Sequence, residues 1–136
     1  MDITVCQIDY NAKTVEFSCA NHIVFIVKGD TIEMVEGDIY SIGGLFTILQ
    51  KPTFSNHNIA IEDEMSIYLF SDGFQDQFGG EKGQKFMLNR FKELVFSIRH
   101  LPMEEQRNIL RETHEKWRGN TRQIDDVLVI GIKLKI

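Results

Sequence analysis

Val15, Phe17 and Cys19 alternate with polar residues, the period of two that puts one set of side chains on one face of a β-strand. A strand over Val15–Cys19 pairs most simply with the run from Ile3 to Ile8, because Asp9-Tyr10-Asn11-Ala12-Lys13 between them is turn-prone. A second hairpin is expected from the apolar run His22–Val27 and the segment Thr31–Val35. Its tip is Lys28-Gly29-Asp30, where glycine can adopt the positive φ of a tight turn. The pattern weakens from Gly37 to His57, and Gly43-Gly44, Pro52 and Asn56 mark a long, flexible connection. Met65-Ser66-Ile67-Tyr68-Leu69-Phe70 is rich in β-favouring residues and stops at Ser71-Asp72-Gly73, which predicts another strand.

Between Phe74 and Gln84 the glycines at 79, 80 and 83 predict a polar loop. Met87, Phe91, Leu94, Val95 and Ile98 then recur at three- and four-residue steps, the signature of an amphipathic helix. A second helix is expected from Pro102 as its first helical residue, with Glu104 and Glu105 at the positive end of the dipole. Met103, Gln106, Leu110, Thr113 and Trp117 mark one of its faces as a core contact, and Gly119-Asn120 ends it. The β-branched run Val127–Ile136 closes the chain as a buried or half-buried strand. The layout is α+β, a mainly antiparallel β-sheet packed with helices.

The chain has 136 residues, 43% of them hydrophobic, enough for one domain with its own core over 1–136. No apolar run reaches the length of a membrane span and the first residues lack a basic-then-apolar leader, so the expectation is a cytoplasmic protein without membrane contact. Cys6 and Cys19 show no Cys-x-x-Cys spacing and are expected to be buried thiols. The formal charge of −5, with scattered basic residues, argues against nucleic acid as a partner.

Chemistry concentrates in two acidic positions. Asp72 leaves the strand ending at Phe70, and Asp125-Asp126 lead into the run that begins at Val127. If those strands are antiparallel neighbours, the end of one lies beside the start of the other and the carboxylates converge. Convergent carboxylates repel unless a cation sits between them, and Mg²⁺ or Mn²⁺ prefers such oxygen ligands. The plainer alternative is an ordinary Asp-Gly turn and a capping Asp125.

Ser71-Asp72-Gly73-Phe74 after a strand, followed by Gln75-Asp76-Gln77-Phe78-Gly79-Gly80, a helical interval and a terminal Asp125-Asp126-Val127-Leu128-Val129, resembles the SpoIIE-like branch of the PPM (protein phosphatase 2C) serine/threonine phosphatases. Ala20-Asn21-His22 and Ser41-Ile42-Gly43 resemble two shorter segments of that family, so the likeness covers nearly the whole chain. The resemblance implies a partial αββα sandwich in which Asp72 and Asp125 are metal ligands, with Gly73 permitting the turn that aims Asp72 and Asp126 supporting the site. It implies a two-metal Mn²⁺ or Mg²⁺ centre, hydrolysis of phosphoserine or phosphothreonine by a metal-activated water, and signalling partners. Those partners are a phosphoprotein substrate such as a STAS-type anti-sigma-factor antagonist, and an upstream sensory domain. The family's Asp-Gly segment and Gly-His-Gly turn, which complete the metal site, have no counterpart in this sequence. The expectation is therefore the C-terminal portion of such a domain, inactive alone and prone to form a homodimer.

Other chemistries find less support. His22, His57, His100 and His114 are far apart and lack zinc spacing, so surface or packing roles are expected. Ser71 does not sit in a Gly-x-Ser-x-Gly elbow, the glycine-rich stretch 79–85 lacks the Gly-Lys-Ser/Thr ending of a phosphate loop, and no twelve-residue Ca²⁺ loop occurs. The competing function class is a non-catalytic protein-interaction module, indifferent to metal.

Overall fold

The alternation around Phe17 forms strand β2 (Thr14–Ala20), with Val15, Phe17 and Cys19 buried and the residues between them half-buried. Beside it β1 (Ile3–Asp9) runs antiparallel, Cys6 opposite Phe17 and Ile8 opposite Val15. The turn between them is closed by Asp9, whose Oδ1 accepts the amides of Asn11 and Ala12 at 2.9 Å. The coordinates are a computed structural model describing residues 1–43 and 51–135. Part of the expected connection, residues 44–50, and the end of the expected last strand at Ile136 lie outside the described residues.

The described residues form three sheets, with strand orders β1-β2-β5, β4-β3-β6-β9 and β7-β8. The remaining strands are β3 (Ile23–Lys28), β4 (Thr31–Glu36), β5 (His57–Ala60), β6 (Met65–Phe70), β7 (Phe78–Gly79), β8 (Gln84–Lys85) and β9 (Val129–Lys133). Among the described residues the helices are α1 (Gly73–Asp76), α2 (Leu88–Ile98) and α3 (Met103–Arg118). The architecture is α+β, antiparallel sheets with a few helices. None of the described helices is long and apolar enough to cross a membrane.

Cα packing divides the chain into two compact units, Met1–Leu69 with Lys133–Ile136, and Phe70–Ile132. In the first, β3 pairs with β4 and β6, and Val24, Phe25, Ile26 and Val27 are all buried. A strand covered on both faces needs a continuous apolar run, which explains the sequence there. Gly29 takes φ +51° at the β3–β4 turn, as the hairpin requires. At the start of β6, Met65 accepts the Leu134 amide through its carbonyl at 2.8 Å. β5 was not expected from the pattern: it is short, pairs Asn58 with Glu16 of β2, and stacks His57 on Phe17 at 5.1 Å.

The second unit is built on aromatic rings. Phe74 stacks on Phe91 at 4.5 Å between centroids, meets the edge of Phe86 at 5.2 Å and packs on His114 at 5.1 Å. Phe91, Val95 and Ile98 of α2, and Gln106, Leu110 and His114 of α3, are the buried residues of their helices, spaced as an apolar stripe should be. Several expectations are corrected here. The stretch 74–84 is not a plain loop, since it contains α1 and the β7–β8 hairpin. Met87 lies before α2, 59% exposed and at φ +82°, instead of on the helix's packed face. Pro102 is the N-cap of α3 and not its first helical residue. The last strand begins at Val129 and leaves Leu128 and Ile130 exposed.

His114 is 8% exposed and its Nε2 has no hydrogen-bond partner. Burial, then the positive charge of Arg118, holds its pKa below the ordinary 6.5, with Glu115 pulling the other way. A histidine kept neutral by folding stabilises fully above its unfolded pKa, and that contribution is lost as pH falls toward the folded value. Urea midpoints should therefore fall on acidification below about pH 6.5, and His114→Leu should remove part of the slope. Equal slopes in the two proteins would assign the pH dependence elsewhere.

Candidate metal centre

Asp72 sits between the end of β6 and the short helix α1, at the N-cap position, yet its carboxylate makes no capping hydrogen bond. A plain Asp N-cap would accept an amide of the first turn, and here that bond is not made. It faces Asp125: the two carboxyl groups lie within hydrogen-bonding reach of one another. The pKa of Asp72 is raised, first by burial, then by the charges of Asp76 and Asp125, and by the hydrogen bond with Asp125. A hydrogen bond with its own backbone opposes these. Asp76 is itself tied to Lys85, with Nζ to Oδ1 at 3.0 Å.

The segment carrying Asp125 is aligned by Ser71, the residue before Asp72. The Ser71 amide donates to the Leu128 carbonyl at 3.0 Å, its hydroxyl donates to the Asp126 carbonyl at 2.9 Å, and the same oxygen accepts the Leu128 amide at 3.0 Å. Asp125 Oδ1 in turn accepts the Asp126 amide at 2.7 Å, and Gln123 Nε2 donates to the Asp125 carbonyl at 2.9 Å. Asp126 thus contributes through its backbone.

Gly73 is required for space. It is not among the residues at positive φ. A Cβ there would lie 2.8 Å from the Asp126 carbonyl carbon and closer still to its oxygen. Glycine permits this turn by letting two backbones pack closely, without a positive φ.

The donor set suits a hard divalent cation in part. A carboxylate whose proton affinity is raised by burial and by neighbouring carboxylates, as that of Asp72 is, is one a cation relieves, and Mg²⁺ is often held by one or two carboxylates with water completing the shell. Among the described residues, no group of three or more His, Cys, Asp or Glu is placed to hold a metal ion. Asp72 and Asp125 are brought together, Gly73 and Asp126 stand directly behind them, and Ser71 was not anticipated as a structural partner. Nothing in its spacing marks it, since its role depends on residues far along the chain.

A search of curated protein sequences returned no match. Among solved structures, the SiaA-PP2C domain of Pseudomonas aeruginosa superposes with a TM-score of 0.89 at 23% identity, covering 98% of this chain and 52% of that one. The phosphatase domain of the cell fate determinant SpoIIE from Bacillus subtilis, presoaked with Mn, gives a TM-score of 0.71 at 17% identity over 98% of this chain and 56% of that one. RsbX in complex with magnesium gives 0.63 at 13% identity, with 98% and 56% covered. The chain thus spans a little over half the length of these relatives and shares their PP2C phosphatase fold. With the family model for Stage II sporulation protein E (SpoIIE) matching residues 1–135, the chain belongs to the SpoIIE family.

Proposed function

We propose that this chain supplies part of the divalent-metal site of a phosphoprotein phosphatase, with Asp72 and Asp125 as ligands of Mn²⁺ or Mg²⁺. The observation carrying this reading is the approach of the Asp72 and Asp125 carboxyl groups, with the Asp125 segment tied to the Asp72 turn by the hydroxyl and amide of Ser71. Family membership supports it, as do the manganese-presoaked SpoIIE phosphatase domain and the magnesium complex of RsbX. Bound divalent ions in such sites supply Lewis acidity and a water of lowered pKa. The residues of this chain orient and charge the site: Ser71 and Gly73 bring the carboxylates together, and Asp76 adds negative potential beside Asp72.

Substrates on this reading are phosphoserine or phosphothreonine in a regulatory protein, with a STAS-type anti-sigma-factor antagonist as the class the family suggests. The setting is bacterial cytoplasmic signalling under an upstream sensory domain, with the two-metal centre completed by the family's Asp-Gly segment. The test is phosphate release from a phosphoserine protein by this chain joined to a SpoIIE-type upstream half carrying that segment. Release should need Mn²⁺ and fall to background in Asp72→Asn. Release that ignores both Mn²⁺ and the substitution would move the chain toward the interaction-module reading.

A further inference from the structure

Residues 119–128 form neither helix nor strand and are largely exposed, so the position of Asp125 depends on side chains that reach this segment from elsewhere. Its downstream end is held by Ser71. At its upstream end Gln77 Nε2 donates to the Arg122 carbonyl at 3.1 Å, and also to the Phe78 carbonyl at 2.9 Å. Gln77 is wholly buried. Its own carbonyl accepts Trp117 Nε1 and the Phe86 amide, both at 3.0 Å, and the neighbouring Gly80 amide donates to the Trp117 carbonyl at 2.8 Å. Neither its backbone nor its side chain is free to drift.

We infer that Gln77 is a positioning residue for Asp125, acting through the Arg122 carbonyl, and that with Ser71 it clamps the Asp125 segment from both ends. Ser71 precedes Asp72 by one residue and Gln77 follows it by five, so one short stretch of backbone sets both carboxylates. The inference rests on the reading of Asp72 and Asp125 as metal ligands. A buried amide is a costly choice for that position, because Gln77 Oε1 has no hydrogen-bond partner. Methionine would fill nearly the same volume without that cost. What the amide adds is the pair of Nε2 hydrogen bonds, of which only the one to Arg122 spans to the Asp125 segment.

The experiment compares the chain with Gln77→Met and with Val15→Ala, a core truncation in the first unit that lowers stability without touching the clamp. Mn²⁺ affinity is measured by calorimetry below the unfolding range, and amide hydrogen exchange is followed over residues 123–128. Gln77→Met should bind Mn²⁺ about tenfold more weakly and exchange faster over 123–128, while Val15→Ala keeps the affinity of the unmodified chain. If the methionine variant does not fold, Gln77→Asn, which shortens the reach by one methylene, serves in its place. Unchanged affinity and exchange in the Gln77 variant, or an equal loss in Val15→Ala, overturns the positioning role. If the unmodified chain binds no Mn²⁺, the metal reading fails by itself. Exchange then decides: acceleration over 123–128 sustains the clamp and its absence overturns it.

Discussion

Gly73→Ala is expected to destabilise the second unit by about 3 kcal/mol or more and to weaken Mn²⁺ binding by roughly tenfold or more. The two relevant effects have opposite signs. Gly73 opens α1, and alanine in a helix is favoured over glycine by about 1 kcal/mol. Against this, the new Cβ would be driven into the Asp126 carbonyl group, which is backbone and cannot rotate away as a side chain would. The clash is the larger effect, and relieving it means displacing the residue next to Asp125. Urea denaturation and Mn²⁺ calorimetry read the two consequences separately. A variant as stable as the unmodified chain would mean that the two backbones do not approach this closely.

The other large effect is expected at Phe74. It is 2% exposed and meets Phe91, Phe86 and His114, so its truncation removes the ring on which the aromatic cluster of the second unit is assembled. Phe74→Ala should cost about 3–5 kcal/mol, as for other buried aromatics, whereas Phe74→Leu should cost less than about half of that because volume is largely kept. Shifts in urea midpoint at constant slope would measure both. A loss below about 1 kcal/mol for the alanine variant would be that of an ordinary substitution and would contradict a central packing role.

Local pattern carried the parts of this fold that depend on local rules. Val15, Phe17 and Cys19 alternate because β2 has one buried set of side chains, and the unbroken run at Val24–Val27 belongs to a strand flanked on both sides. Gly29 and the Asp9 turn mark hairpins through their own backbone chemistry. Proximity of Asp72 and Asp125 was legible for a related reason, since a strand end and a strand approach meet whenever the strands are antiparallel neighbours.

What escaped the sequence is made by contacts between residues distant in the chain. β5 has almost no apolar signal and exists through its pairing with β2. The β7–β8 hairpin lies in a glycine-rich stretch because Gly79 and Gly80 pack against Trp117, where a Cβ would collide. Met87 continues the helical spacing but takes a positive φ before α2 begins. The roles of Ser71 and Gln77 are equally invisible in sequence: each is a common polar residue whose partner is a backbone carbonyl some 45 to 55 residues later.

The most direct measurement is a calorimetric Mn²⁺ titration of this chain beside Asp72→Ala and Asp125→Ala, each first shown to be folded by circular dichroism. Binding in the unmodified chain that is lost or strongly weakened in both variants is the predicted result, because each carboxylate supplies part of the charge and oxygen shell that holds the ion. Undiminished binding in either variant, or none in the unmodified chain at millimolar Mn²⁺, would contradict a site shared by Asp72 and Asp125.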